Sequence, residues 1–347
     1  MRMNLSLNRS TTLLLCLFAL SACSSNKPHY SEEVIVAETV YTFDELHPAN
    51  MAISSDGRVF VTGHPIVNST TKVVEVLEDG QQVVYPNDTY SNSIEDPSVI
   101  GATIGVHVDS QDNLWVLDMA NSQLVVWDIH SNGLVRIIKL PPEVLLEQSF
   151  LQDFVLDEKH NRVIIADMTQ GDLVSPPEPA FVVVDLNQNM AYRVAKNHPS
   201  MLPDIADGLA LNPITIDPDY NYVYFGAMNG KKIYRINTEA FADPATVGQN
   251  IEYYAPKPYS DGIKVDDNGN VYITDIEHQA IGVSNPDSGY QIVATLPNGQ
   301  TWPDGMFIKD GVVYVVVNQL NRTAALNNGV DETQGEFIIV KIPEIAP

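Results

Sequence analysis

One unit recurs six times along this chain: a polar residue, an alternating apolar strand, a turn rich in Asp, Asn and Gly, and a second apolar strand. The copies begin at Asn50 (NMAISSDGRVFVTGH), Gly105 (GVHVDSQDNLWVLDMAN), Asp153 (DFVLDEKHNRVIIADMTQ), Asn212 (NPITIDPDYNYVYFGAMNG), Asp261 (DGIKVDDNGNVYITDIEH) and Asp304 (DGMFIKDGVVYVVVNQ). Their starts lie 55, 48, 59, 49 and 43 residues apart. That spacing suits one four-stranded blade per repeat, so the expected fold is all-β, a six-bladed β-propeller. The turns agree. Ser55-Asp56-Gly57, Asp112-Asn113, Asp267-Asn268-Gly269 and Asp310-Gly311 tolerate or prefer positive φ. The flanking Val, Ile, Tyr, Phe and Trp suit pleated, half-buried strands. A third strand follows at LVVWD (124–128), FVVVD (181–185) and IYRIN (233–237). Residues 141–150 are expected to form a short helix between blades, and residues 70–104 a long inter-blade segment. The ring is expected to close by pairing residues 34–41 (VIVAETVY) with the final strand, FIIVKI (337–342). Closure removes exposed sheet edges.

The N-terminus reads as an export signal. Arg2 and Arg9 precede an apolar run over 11–20, too short to span a bilayer. The run ends in Leu20-Ser21-Ala22-Cys23, which suits cleavage before Cys23 and lipidation of its thiol. The expected organisation is a lipoprotein signal at 1–23, a polar tether at 24–32 and one propeller domain at 33–347. Ser24 after the cysteine points to the outer membrane of the cell envelope, facing the periplasm or the exterior. Two or three acyl chains anchor stably where one does not. Cys16 leaves with the signal, so the mature domain has no disulfide, thiol nucleophile or cysteine metal site. Past residue 23 the chain carries 17 basic and 44 acidic residues, a net charge of −27. Such a field repels nucleic acid and attracts metal ions, amines or basic partners; it also serves solubility.

In a propeller the innermost strand of each blade lines a central channel. The residues opening those strands are Asn50, Gly105, Asp153, Asn212, Asp261 and Asp304, and five of the six carry a side-chain oxygen. An oxygen ring could hold a hard cation such as Ca²⁺, which takes six to eight oxygens, or an ammonium group. The alternative is that these side chains accept hydrogen bonds from neighbouring loops. Asp118, Asp167 and Asp275 end second strands and are expected to cap inter-blade turns. Asp266 to Asn270 (DDNGN) lacks the length and terminal Glu of a calcium loop and is expected to be a hairpin turn. His107 occupies a strand position that could face the channel. Trp115 is expected to pack between blades. Trp302, beside Asp304, is balanced between packing and cation–π contact with a ligand. No nucleophile elbow, zinc motif, phosphate loop or dinucleotide fingerprint occurs.

Residues 48–52 (PANMA) with 56–61 (DGRVFV), Asp109 through LWVLD (114–118), and WPDG (302–305) followed by VNQL (317–320) together resemble the major royal jelly protein and Yellow family. That resemblance implies a six-bladed propeller. Some members bind small amines and some are linked by name to dopachrome conversion, so it also offers a tautomerase. More distantly the chain is similar to the gluconolactonase/regucalcin family, in which a Glu, an Asn and an Asp bind a divalent cation. Its Asn and Asp positions resemble Asn212 and Asp261; the Glu position falls at Ala49-Asn50, where no Glu stands. Three functions remain open. One is a binding protein, with Asn50, His107, Asp153, Asn212, Asp261, Trp302 and Asp304 around a small cationic or aromatic ligand. The second is a metal-dependent lactone hydrolase centred on Asn212 and Asp261. The third is a structural propeller that docks unknown protein partners on its faces.

Overall fold

The computed structural model describes residues 33–67, 69–92, 100–297 and 299–345. The expected signal at 1–23, with Cys23, and the expected tether at 24–32 lie outside them. Six sheets are arranged as six blades, and each innermost strand lies against the next around a common axis. The innermost strands are Pro48–Ile53, Thr103–Val108, Leu151–Asp157, Leu211–Ile216, Ser260–Val265 and Pro303–Lys309, which open blades 1 to 6 in order. Among the described residues no helix is long and apolar enough to cross a membrane.

The inner strands of each blade are buried on both faces, which is why strands such as Val59–Gly63, Arg162–Asp167 and Tyr222–Ala227 read as nearly continuous apolar runs. The apolar side chains sort into six clusters, one between each pair of neighbouring blades. Leu114 and Val116 face blade 1, whereas Trp115 and Leu117 face blade 3. Trp115 is therefore an inter-blade packing residue, as expected, and its Nε1 donates to Asp109 Oδ2 at 2.7 Å. The hairpin turns also form where expected, with Gly57, Asp112, Gly269, Asp310 and Gly311 at positive φ. In the DDNGN turn, Asp266 Oδ1 accepts from the N–H groups of Asn268 and Asn270, both at 2.8 Å.

Three expectations need correction. Residues 34–41 do not form one strand: Ile35–Val36 adds in parallel to the outer edge of blade 5, and Glu38–Phe43 pairs antiparallel with Phe337–Pro343 to complete blade 6. The break falls at Ala37, whose side chain turns into the core between blades 5 and 6. Residues 70–104 are mostly not a connection, because Val73–Val76 and Gln82–Val84 are the outer strands of blade 1, followed by the short helix Asp88–Ser91. The expected helix over 141–150 is one 3₁₀ turn, Pro142–Val144.

Asp118, Asp167 and Asp275 cap the inter-blade turns. Each closes the second strand of its blade, is fully buried, and gathers the donors of the loops around it. Asp118 accepts from the backbone N–H of Gly101, Ala102 and Asn121 and from the amides of Asn121 and Gln123. Asp167 accepts from Phe150 N at 2.9 Å, Thr169 N at 3.1 Å, Ser149 Oγ at 2.6 Å and the Arg193 guanidinium. Asp275 accepts from Glu277 N, His278 N and Tyr290 Oη. Removing such a carboxylate leaves several buried donors and, for Asp167, takes from the Arg193 guanidinium its counter-ion, leaving it only the carbonyls of Val144 and Glu178. Asp167→Ala is expected to destabilise the protein by about 3–5 kcal/mol, read as a lower midpoint of urea unfolding. An unchanged midpoint contradicts the capping role.

Candidate functional site

Every innermost strand breaks register with its neighbour near its start. Pairing runs from Pro48↔Gly63 to Met51↔Val61, from Thr103↔Asp118 to Val106↔Val116, and likewise in the other four blades. A bulge of this kind re-aims side chains that strict alternation would send to opposite faces. Consecutive residues therefore both reach the channel. Aligned on these ladders, the predicted ring is two levels. The outer holds Ala49, Ile104, Gln152, Asn212, Asp261 and Asp304; the inner holds Asn50, Gly105, Asp153, Pro213, Gly262 and Gly305. The single ring expected from sequence is thus corrected to a staggered pair, because the repeat boundaries in sequence do not register the bulge.

The inner level is tight. A Cβ on Gly305 would lie 2.3 Å from Asn50 Oδ1, and one on Gly105 would lie 2.7 Å from Asp153 Oδ1. Glycine at these positions makes room for the two polar side chains. Backbone groups freed by the bulges are met by buried threonines of the second strands. Asn50 N donates to Thr62 Oγ1 at 3.1 Å, and Gly262 N donates to Thr274 Oγ1 at 2.7 Å.

Asn50, His107, Asp153, Asn212, Asp261 and Asp304 line one cavity of about 30 Å³ on the axis, room for one or two waters. Asn50 Nδ2 donates to Asp153 Oδ2 at 3.1 Å. Asn212 Nδ2 and Trp302 Nε1 donate to the two oxygens of Asp261, each at 2.7 Å. Asn318 Nδ2 donates to Asp304 Oδ2 at 2.6 Å. His107 Nε2 stands 3.5 Å from Asp153 Oδ1. Trp302 holds a left-handed backbone, φ +61°, and its indole N–H orients Asp261. Burial pushes Asp261 up to about 6, against the bonds from Trp302 and Asn212. Burial and then the Asp261 charge push Asp304 well above the usual carboxylate range. Burial pushes His64, beside Asp304, down to about 3, so it stays neutral.

The two ends of the channel differ. Beyond the outer level, half-exposed Ile66, Phe150, Leu173, Leu209, Trp302 and Leu326 close over the carboxylates and leave about 20 Å³. At the other end a void of about 490 Å³ opens, rimmed by Glu158, Asp217, Asp267, Asp310 and Glu344. His107 and Lys264 belong to both this void and the carboxylate cavity. Sequence reasoning missed Gln152, Lys264 and Asn318. Lys264 follows Asp261 by three residues in its repeat, and the bulge is what returns it to the channel.

The donor set does not suit a divalent metal. Both oxygens of Asp261 are taken by N–H donors, Asn212 presents its amide N–H₂ to that carboxylate, and the level carries Ala49 in blade 1. Among the described residues no three His, Cys, Asp or Glu side chains converge as metal ligands.

The raised Asp261 has a stability consequence whose sign is fixed. Its folded value, about 6, exceeds the ordinary 3.8, so its ionisation opposes folding increasingly from about pH 4 to 6 and in full above pH 6, and has no effect once both states are protonated. Asp261→Asn is expected to raise the melting temperature at pH 8, a gain on the order of 2 kcal/mol, and to match the parent below about pH 4. An equal shift at both pH values contradicts the assignment.

A sequence profile of the family described as major royal jelly protein matches residues 102–345. Major royal jelly protein 3 of Apis mellifera is 23% identical over 192 residues, which cover 49% of this chain and 34% of that protein. The chain thus aligns with about a third of that relative's length. Among solved structures, a luciferin-regenerating enzyme superposes with a TM-score of 0.61 at 11% identity, covering 89% of this chain and 95% of that one. A gluconolactonase from Xanthomonas campestris superposes with a TM-score of 0.57 at 13% identity, covering 88% and 91%. A streptogramin B lyase superposes with a TM-score of 0.54 at 16% identity, covering 89% and 97%. At these identities the likeness is one of fold alone. With the family profile spanning most of the propeller, the chain belongs to the major royal jelly protein family.

Proposed function

We propose that this propeller is a binding protein that captures a small molecule by a cationic, ammonium-like head at the channel carboxylates. The observation that carries this reading is the convergence of Asp153, Asp261 and Asp304 on one cavity, where burial and mutual repulsion raise the pKa of two of them. A cation placed among them relieves that repulsion and supplies the donors they lack. Asn50 and Asn212 orient the carboxylates, and Trp302 holds Asp261 while sealing the far side with apolar neighbours. Exclusion of water there strengthens each charge interaction. The acidic rim of the wide mouth draws the cation in. In this reading the lipidated Cys23 holds the site at a membrane of the cell envelope, and the ligand leaves unchanged. A metal-dependent lactone hydrolase has less support, because the donor set around Asp261 is poor for a metal.

The test is a panel of primary amines followed by calorimetry and thermal unfolding. A binding amine at 100 times its Kd is expected to stabilise the fold by about 2.7 kcal/mol. Asp304→Asn is expected to weaken binding at least about tenfold. Ca²⁺, Mg²⁺, Mn²⁺ or Zn²⁺ added after chelation is expected to leave the midpoint unchanged. A metal-dependent shift abolished in Asp261→Ala, with no amine binding, contradicts the reading.

A further inference from the structure

One level past the carboxylates, toward the wide mouth, the channel changes from acceptors to donors. Ladder register places His107, Thr215 and Lys264 at that level, opposite Trp115, Tyr224 and Tyr272 of their second strands. The Lys264 ammonium lies 5.5 Å from the centroid of the Phe307 ring and meets no hydrogen-bond or ion-pair partner among the described residues. The Nε2 of His107 and the Oγ1 of Thr215 are buried without hydrogen bonds. Burial lowers the Lys264 pKa, and Asp153 offsets this only in part. Two buried polar atoms without hydrogen bonds, beside an ammonium that meets no partner of its own, favour an occupant that accepts hydrogen bonds. An ammonium cannot fill that place, since Lys264 repels it. A carboxylate can: it accepts from the Lys264 ammonium and from an imidazole N–H of His107, the two donors that line both cavities.

We propose that the ligand is dipolar, with its ammonium among Asp153, Asp261 and Asp304 and a carboxylate on Lys264. This rests on the cationic-head reading above and narrows it. Asp261 and Lys264 are three residues apart on a bulged strand, roughly 7 Å along it, and the Lys264 ammonium stays beside Phe307 at its own level. The two ligand charges must therefore be separated. An ω-amino acid of about four to six carbons spans the distance; an α-amino acid, whose charges sit on one carbon, does not.

The experiment titrates two matched pairs into the full chain by calorimetry: pentylamine against 5-aminopentanoate, and benzylamine against 4-(aminomethyl)benzoate. The zwitterion of each pair is expected to bind about tenfold or more tightly than its amine, the scale of one charge-assisted hydrogen bond. Lys264→Met is expected to bring that ratio to about one, and Lys264→Arg to retain a preference. A ratio near one in the parent protein, or a ratio that Lys264→Met leaves unchanged, overturns the proposal while the amine site stands. If neither member of either pair binds, the cationic-head reading fails and this one falls with it.

Discussion

Six strands crowd around one axis, and a bulge at the start of each decides what can stand there. Where alternation would face every second side chain to the channel, the bulges bring consecutive residues to it, so two levels of polar groups fit at one depth. The crowding is severe enough that Gly105, Gly262 and Gly305 are needed beside Asp153, Asp304 and Asn50. A Cβ on Gly262 would lie 2.2 Å from the Asp304 carbonyl oxygen. Thr62 and Thr274 then supply the backbone partners that the interrupted ladders lose. Outward from the axis, the fold is held by apolar faces between blades, by the aspartates that cap the turns and by a closing strand.

The same residue type takes two roles, separated by the number of donors around it. Asp118 accepts five hydrogen bonds and Asp167 has four donors, including a guanidinium. These carboxylates are complete, and their work is to hold loops. Asp304 has one side-chain donor, Asn318, and faces two like charges, whereas Asp261 has two donors and no cation within its bonds. Carboxylates left short of donors in a buried site favour the proton, or a ligand that brings positive charge. This contrast supports assigning binding to the axis and structure to the turns.

The blade count, the hairpin turns, the inter-blade position of Trp115 and the capping aspartates were legible because each rests on local chemistry: recurring apolar strand pairs, positive-φ residues and carboxylates at strand ends. The gathering of Asn50, His107, Asp153, Asn212, Asp261 and Asp304 around one cavity was legible as well, because strand starts map to a channel mouth. Their two levels were not, since a bulge leaves no mark in the hydrophobic pattern. Lys264 was hidden for the same reason, and Asn318 because its partner Asp304 lies 14 residues away in sequence. The split of residues 34–41 between two blades depends on Ala37 turning inward, a tertiary choice that residue type does not announce.

The most direct test is a crystal structure of the protein with a bound primary amine. The account predicts the amine nitrogen inside the channel, within hydrogen-bond distance of at least two of Asp153, Asp261 and Asp304, about 2.7–3.2 Å. A ligand found only on an outer face, or a metal ion seated between Asn212 and Asp261 in its place, would contradict it.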